Sequence, residues 1–135
     1  MPSSPLRLVV HGAAGRMGQR VVAGALAAPD AWNVVAAIER AGHPRAGDDA
    51  GVVAGCRAAG VCVADAWSCP ADVIIDFSLP EAVAGIVATA VAKQVPLVVA
   101  TTGLTAADHD RIAEASKKIP VLQSPSMSLA VNISM

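Results

Sequence analysis

The apolar residues of the chain fall into short runs that are separated by turn residues and by alanine-rich stretches. Strand length and β-branched content predict strands at Leu6–His11, 33–38, 73–77 and 97–101, with weaker candidates at 61–64 and Val121–Gln123. Helical spacing of the apolar positions between these runs predicts helices at 17–28, 81–94 and 106–118. The segment 42–60, rich in Gly and Ala, predicts a long connection with a short helix.

This order of elements predicts the fold class. Nearly continuous apolar strands that alternate with helices are typical of a parallel sheet covered on both faces and built from βαβ units. Right-handed crossovers then favour a doubly wound arrangement. A length of 135 residues supports one domain. We therefore predict an α/β chain with a Rossmann-type doubly wound, mostly parallel sheet and helices on both of its faces.

Two helix starts carry a sequence signature. Ser78 followed three residues later by Glu81 predicts a capping box at the start of the second long helix. Thr105 and Asp108 have the same spacing before the third helix, although the signal there is weaker.

A glycine-rich turn directly after the first strand is the most informative segment. Gly12, Gly15 and Gly18 form a G-x-x-G-x-x-G pattern that opens a helix. The first glycine permits a tight turn, the second leaves room for a pyrophosphate, and the third lets the helix pack closely on the sheet. Unpaired amides and the helix dipole favour an anion there, and Arg16 adds a cation. The pattern favours dinucleotide binding over a glycine-rich turn without a ligand.

An acidic residue completes the dinucleotide pattern. Glu39 stands 21 residues after Gly18, at the end of the second strand. A carboxylate at this place binds the ribose hydroxyls of NAD and repels the 2′-phosphate of NADP, whereas Arg40 next to it can pair with that phosphate. A solvated Glu-Arg pair at a strand end is the alternative interpretation.

Three further strand ends carry small polar residues at the predicted carboxyl edge of the sheet, where ligands of parallel sheets bind. These segments are 76–81, 101–103 and 124–127. Small hydroxyl side chains and a glycine would allow a flat nicotinamide ring to lie against the backbone. For Asp76 and Ser78 the residues favour capping and turn roles over contact with a ligand, and Thr101 and Thr102 are ambiguous from the residues alone.

Acid–base and metal chemistry have little support in the sequence. We expect His11 to pack or hydrogen-bond near the turn, and His43 and His109 to be solvated. The three cysteines lack zinc-ligand spacing, so we expect small buried residues and no metal. The chain has no tyrosine, which excludes the Tyr-Lys pair of short-chain dehydrogenases.

Composition excludes several other classes. A net charge of −1 and a pI near 6.2 leave no electrostatic footprint for nucleic acid. No run of 18 uncharged apolar residues is present, so we expect no membrane association. The N-terminus lacks the charged region and cleavage site of a signal peptide, and we expect a cytoplasmic protein.

Five motifs in register resemble the N-terminal domain of the dihydrodipicolinate reductases (4-hydroxy-tetrahydrodipicolinate reductases) of the bacterial diaminopimelate–lysine pathway. The motifs are the glycine turn at 12–18, Glu39-Arg40, and the segments 76–81, 101–104 and 124–132. The resemblance covers residues 6–135.

The resemblance implies a role for each matched residue. The family binds the pyrophosphate with Gly12, Ala13, Ala14, Gly15, Arg16 and Met17. It places Glu39 on the ribose and Arg40 on the 2′-phosphate of NADH or NADPH. Its nicotinamide segment falls on Ala100, Thr101 and Thr102, with Thr102 also near the substrate, and its segment before the hinge falls on Ser124, Pro125, Ser126 and Met127.

The sequence departs from the family pattern at three positions and in one larger respect. Ala100 and Ala130 replace glycines, and Ser126 replaces an asparagine. The substrate domain of the family would follow Met135. We therefore expect a dinucleotide-binding domain at 1–127 and the start of a hinge helix at 128–135.

The resemblance implies hydride transfer from NADH or NADPH to a cyclic unsaturated dicarboxylate, in a full-length protein that is a homotetramer. We expect this chain alone to bind cofactor without turnover, and we assign no catalytic residue within it. The alternatives are a stand-alone dinucleotide-sensing module and the cofactor domain of another amino-acid-pathway dehydrogenase.

Overall fold

A computed structural model describes residues 5–101 and 103–123 of the chain. Six strands form one sheet: β1 Leu6–His11, β2 Trp32–Ile38, β3 Val63–Ala64, β4 Val73–Asp76, β5 Leu97–Val99 and β6 Val121–Gln123. Four α-helices accompany them: α1 Arg16–Ala27, α2 Ala50–Val53, α3 Val83–Lys93 and α4 Ala106–Ala115. A 3₁₀ turn, Pro80–Ala82, leads into α3.

The sheet is parallel, and its strand order is β3-β2-β1-β4-β5-β6. The order reverses between β1 and β4, which creates the crevice where doubly wound sheets bind ligands. This order confirms the predicted fold class. The predicted strands are each present, with ends that differ from the predicted ones by no more than two residues.

Two apolar clusters cover the two faces of the sheet. On β1 the side chain of Val9 joins the cluster under α3 and α4, whereas Leu8 and Val10 join the cluster under α1. This alternation follows from the two-residue period of a strand. Both faces are buried, and for this reason β1 carries apolar residues in succession instead of an apolar–polar alternation.

The capping box predicted at Ser78 is wrong. The residue before the 3₁₀ turn is Leu79, and α3 begins after Ala82; neither end has a side-chain cap. The Ser78 hydroxyl instead donates a hydrogen bond to the carboxylate of Asp76, which is fully buried. A buried carboxylate needs donors more than an exposed helix end does, since water can satisfy the latter.

The weaker capping box, at Thr105, is confirmed. The backbone amide of Asp108 donates to Thr105 Oγ1 at 3.2 Å, and the backbone amide of Thr105 donates to Asp108 Oδ2 at 3.1 Å. The bond from the Thr105 amide, together with the Arg111 guanidinium, lowers the pKa of the Asp108 carboxyl. The helix that they start ends at Ala115, three residues before the predicted end.

One carboxylate organises the connection at 42–60. The carboxylate of Asp49 accepts hydrogen bonds from the backbone amides of Gly51, Val52, Ala59 and Gly60. These bonds lower the pKa of Asp49, the bond from Ala59 contributing most. The short helix predicted in this connection is α2, which begins directly after Asp49.

The expectation of buried cysteines is wrong. Cys56 and Cys62 are exposed and Cys69 is half-buried, and all three thiols are free. Within residues 5–101 and 103–123, no three His, Cys, Asp or Glu side chains come together as a metal site would require. None of the helices in this described part of the chain has both the length and the apolar character needed to cross a membrane.

Candidate functional site

The turn after β1 is built on a glycine that no other residue can replace without strain. Gly12 has φ +79°, and a Cβ there would lie 2.7 Å from the backbone carbonyl carbon and oxygen of Phe77. Its amide donates to the carbonyl of Ile38 at 2.8 Å. Gly12 therefore ties the ends of β1, β2 and β4 together at the switch point of the sheet.

The other two glycines of the motif differ from each other. A Cβ on Gly18 would overlap the carbonyl oxygen of Gly12, so α1 packs against the turn itself at this position. The sequence predicted that a glycine here lets the helix approach the sheet closely, whereas the structure shows the close approach to the turn. Gly15 is exposed and has an extended backbone, and its Cβ would meet only Gly12 O, at 3.3 Å. The fold thus requires Gly18, whereas at Gly15 the described residues leave space in front of the helix apart from that single contact.

The remaining residues of the turn differ in how much of their backbone and side chain is accessible to a ligand. Ala13 is 2% exposed, so its methyl group belongs to the core and only its backbone faces the turn. Ala14 and Met17 are half-buried, and Arg16 is exposed. Helix α1 has no side-chain cap and no acidic residue in its first turn. Its N-terminus therefore keeps the positive end of its dipole open to an anion.

Glu39 is held against this turn. Its Oε2 accepts a hydrogen bond from the backbone amide of Ala14 at 2.9 Å, although the two residues lie 25 positions apart in the chain. The amide of Glu39 donates to the carbonyl of Ala64 at 2.8 Å, which fixes the end of β2 against β3. The side chain is half-buried, and Arg40 after it is exposed.

These residues border a cleft of about 500 Å³. It lies between the glycine turn, the end of β2 and the start of α3, and it is lined by Gly12, Ala14, Gly15, Ile38, Glu39, Arg40, His43, Asp65, Phe77, Ser78, Leu79, Ala82, Gly85, Ile86 and Thr89. A charged rim from β2 and β3 thus faces an apolar wall from α3. This combination suits a ligand with a flat apolar ring and an ionised or hydroxylated part.

Besides Glu39 and Arg40 at the end of β2, a second cluster of polar residues lies at the ends of β4 and β5, and its carboxylate is closed to solvent. The carboxylate of Asp76 is fully buried and accepts hydrogen bonds from the amide of Ser78 at 2.9 Å, from the Ser78 hydroxyl, and from Thr101 Oγ1 at 2.9 Å. Thr101 and Ala100 are both buried. The Thr101 hydroxyl is therefore held between the carboxylate of Asp76 and the carbonyl of Ser78, 3.1 Å away. Asp76 and Ser78 have a structural role, as the sequence favoured, but the role is not that of a helix cap.

Thr102 and the four residues Ser124, Pro125, Ser126 and Met127 lie outside the described residues. So does the predicted hinge segment, 128–135. Their predicted roles near the nicotinamide and the substrate stay predictions.

His11 lies between the two polar clusters. Its backbone pairs with Ile38 on one side and with Asp76 on the other. Within the described part of the chain its buried Nε2 has no hydrogen-bond partner. Burial lowers the pKa of His11, and the charges of Asp76 and Glu39 oppose this effect only in part.

The sequence reasoning missed His43. We expected a solvated loop residue, but the side chain is half-buried and lines the cleft beside Glu39 and Arg40. The sequence did contain a signal for this position. Gly42, directly before His43, allows a tight turn that starts at Arg40 and folds the chain back toward the end of β2.

Comparison with known proteins agrees with this geometry. Residues 6–127 match the model of the family described as dihydrodipicolinate reductase, N-terminus. The chain belongs to this family. A curated 4-hydroxy-tetrahydrodipicolinate reductase from Rhodopirellula baltica is 48% identical over 98% of the chain and 49% of its own length. The chain spans about half the length of the curated relatives it matches.

Solved structures share the fold. A dipicolinate-bound dihydrodipicolinate reductase from Paenisporosarcina sp. TG-14 has a TM-score of 0.67 at 18% identity, covering 93% of this chain and 49% of that one. An aspartate semialdehyde dehydrogenase with NADP from Candida albicans has a TM-score of 0.63 at 16% identity, covering 94% of this chain and 44% of that one. The two scores are similar, so the fold alone does not separate the reductases from other dehydrogenases. The sequence match does.

Proposed function

We propose that the chain is the cofactor-binding domain of a dihydrodipicolinate reductase and that it holds NADH or NADPH in the cleft beside the glycine turn. One observation carries the proposal. The carboxylate of Glu39 is hydrogen-bonded to the amide of Ala14, 2.9 Å away, so an acceptor for ribose hydroxyls adjoins an uncapped helix N-terminus. A dinucleotide presents ribose and pyrophosphate as neighbouring groups, and it needs these two partners side by side.

The pyrophosphate would lie at the turn formed by Gly12, Ala13, Ala14, Gly15, Arg16 and Met17. The free space in front of Gly15 allows close approach to the backbone, and the positive end of α1 favours the negative charge. Arg16 is exposed and supplies the adjacent cation. The buried methyl group of Ala13 leaves only its backbone for this contact.

The adenosine part would occupy the cleft. One oxygen of the Glu39 carboxylate accepts from Ala14, which leaves the other oxygen for the ribose hydroxyls. Arg40 would face a 2′-phosphate, and the apolar wall of α3 would cover the adenine ring. Both NADH and NADPH then have a partner at the 2′ position.

The nicotinamide would lie at the carboxyl end of β5, near Ala100, Thr101 and Thr102, with the segment 124–127 beside it. Because the Thr101 hydroxyl is bonded to Asp76, we propose that this residue contributes its backbone rather than its side chain. Thr102 is the proposed contact to substrate. When bound, the nicotinamide supplies the hydride, and the residues of this chain orient the ring.

The activity of a full-length protein is part of the proposal. It would reduce a cyclic unsaturated dicarboxylate in diaminopimelate and lysine biosynthesis, as a cytoplasmic homotetramer. Residues 1–127 would form the cofactor domain, and 128–135 would lead into a substrate domain. We propose no nucleic-acid, membrane or metal partner.

Binding is tested by titrating the chain with NADH and NADPH while their fluorescence is recorded. Saturable binding of either cofactor supports the proposal, and Gly12→Ala, which strains the turn, should abolish it. Circular dichroism shows whether this variant is folded. Absence of binding to the folded wild-type chain would contradict the proposal.

Turnover separates this proposal from an enzyme complete within 135 residues. We expect no steady NADPH oxidation when the purified chain is coupled to a synthase that makes the substrate. The substrate must be held in line with the nicotinamide and shielded from water, and loss of orientation alone costs on the order of 7 kcal/mol. Oxidation that tracks the concentration of the chain would contradict this expectation. A sensing module would bind cofactor and stay inactive even when the second half of a relative is fused to it.

A further inference from the structure

A histidine that faces the cleft has no place in the dinucleotide pattern. His43 follows the end of β2 by five residues, and it lines the cleft together with Glu39, Arg40 and Asp65. We propose that the Nε2–H of His43 donates a hydrogen bond to the 2′-phosphate of NADPH, which makes His43 a second residue, beside Arg40, that selects NADPH over NADH. This inference rests on the proposed function.

The backbone places His43 next to Arg40. The amide of His43 donates to the carbonyl of Arg40 at 3.2 Å, and Gly42 between them has φ +80°. A four-residue turn with a positive φ at its third position is a type II turn, for which glycine is favoured. The turn reverses the chain, so the side chains of its first and fourth residues both reach the cleft.

A second hydrogen bond fixes the orientation of the imidazole. The backbone amide of Arg45 donates to His43 Nδ1 at 3.0 Å. Nδ1 is thus an acceptor, and the proton of the neutral ring is carried by Nε2. The side chain therefore offers its Nε2–H to a ligand, and the bond from the Arg45 amide fixes the orientation of this donor.

Among the neighbouring charges, Arg40 is the one that favours a phosphate as the acceptor. Arg45 is not available, since its guanidinium is bonded to Asp48 at 2.8 Å. Arg40 makes no ion pair with any residue of the described chain, so its charge is open to a ligand. A phosphate monoester presents three acceptor oxygens, and one cation does not satisfy them. Asp65 and Glu39 present carboxylates on the same rim and repel an anion, so a phosphate bound beside Arg40 needs a further donor to hold it.

Two substitutions distinguish the roles of the two nitrogen atoms of His43. Asparagine places an acceptor near the position of Nδ1, so His43→Asn keeps the bond from Arg45 and loses the donor that reaches the ligand. Glutamine places an amide near the position of Nε2, so His43→Gln keeps a donor. His109→Gln is the matched control, because His109 is exposed on α4 and contacts Gln123, away from the cleft.

The Kd values for NADPH and NADH are measured by fluorescence titration of the 135-residue chain and of each variant, with thermal unfolding as the control for folding. His43→Asn should weaken NADPH binding about tenfold and change NADH binding less than twofold. His43→Gln should fall between the wild type and His43→Asn for NADPH, and His109→Gln should match the wild type for both cofactors.

Three results would overturn the inference. Equal losses for NADH and NADPH would assign His43 to the adenine or to the turn, and unchanged affinity for both would remove it from the site. Equal values for the Asn and Gln variants would exclude a donor at the Nε2 position. In each case the wild type still binds cofactor, and the proposed function stands. A wild-type chain that binds neither cofactor would overturn both.

Discussion

Two carboxylates at the same edge of the sheet have opposite environments. Asp76, at the end of β4, is fully buried, and its oxygens are occupied by donors from Ser78 and Thr101. Glu39, after the end of β2, is half-buried and accepts a single hydrogen bond within the described chain, from Ala14. The closed carboxylate holds two strand ends together, whereas the open one has capacity left for a ligand.

The largest expected effect is on folding, at the closed carboxylate. Asp76→Ala leaves the amide and hydroxyl of Ser78 without their acceptor, whereas the Thr101 hydroxyl keeps the carbonyl of Ser78, 3.1 Å away. Donors that lose their partners inside a fold cost about 1–3 kcal/mol each. We expect a loss of about 3 kcal/mol in the free energy of unfolding, measured in urea. Glu39→Ala is the matched control and should lose less than about 1 kcal/mol. Similar losses in the two variants would contradict the difference between the carboxylates.

The next effect concerns the turn that Glu39 faces. Gly15→Val fills the space in front of α1, and we expect it to weaken NADH binding by about 2 kcal/mol, or thirtyfold. Its free energy of unfolding should fall less than that of Gly18→Ala, because the new Cβ makes a tight contact with Gly12 O at 3.3 Å but does not overlap it. Gly18→Ala should instead destabilise the fold itself, since its Cβ overlaps Gly12. Unchanged NADH affinity in folded Gly15→Val would remove the turn from the site.

A smaller effect sharpens the role of the open carboxylate. Glu39→Ala should weaken NADH more than NADPH, because the ribose hydroxyls lose their acceptor while the phosphate loses a repelling charge. Arg40→Ala should do the reverse and weaken NADPH by about tenfold, or 1.4 kcal/mol. In the protein that keeps Arg40, NADPH binding should depend more steeply on salt than NADH binding does. Titration of both variants with both cofactors checks this pair. Equal losses for the two cofactors in each variant would contradict the assignment.

The smallest effect belongs to His11, between the two carboxylates. Burial lowers its pKa below the ordinary value of 6.5, so below about pH 6.5 the unfolded chain binds more protons than the folded one. The contribution of this residue to stability is therefore complete above pH 6.5 and is lost as the pH falls toward the native pKa. Urea unfolding at pH 7.5 and 5.5 should show a smaller loss for His11→Leu than for the wild type. His109→Gln should lose as much as the wild type, and identical losses in all three proteins would contradict a buried neutral His11.

Local patterns predicted part of the candidate site. The spacing of Gly12, Gly15 and Gly18 and the position of Glu39 predicted a turn and an acid that the fold brings into contact. These signals are readable because each depends on backbone geometry that only certain residues allow. The family resemblance rests on the same segments.

The sequence by itself determined the parallel sheet, since apolar runs buried on both faces and alternating with helices leave few other arrangements. The tertiary structure decided which polar groups are free to act. Ser78 has the spacing of a helix cap, but a buried carboxylate captures its hydroxyl. His43 lies in a connection where the sequence predicts a solvated side chain, but a turn at Gly42 brings it to the cleft. The competition of a side chain among several partners depends on burial and distance, which no local pattern contains.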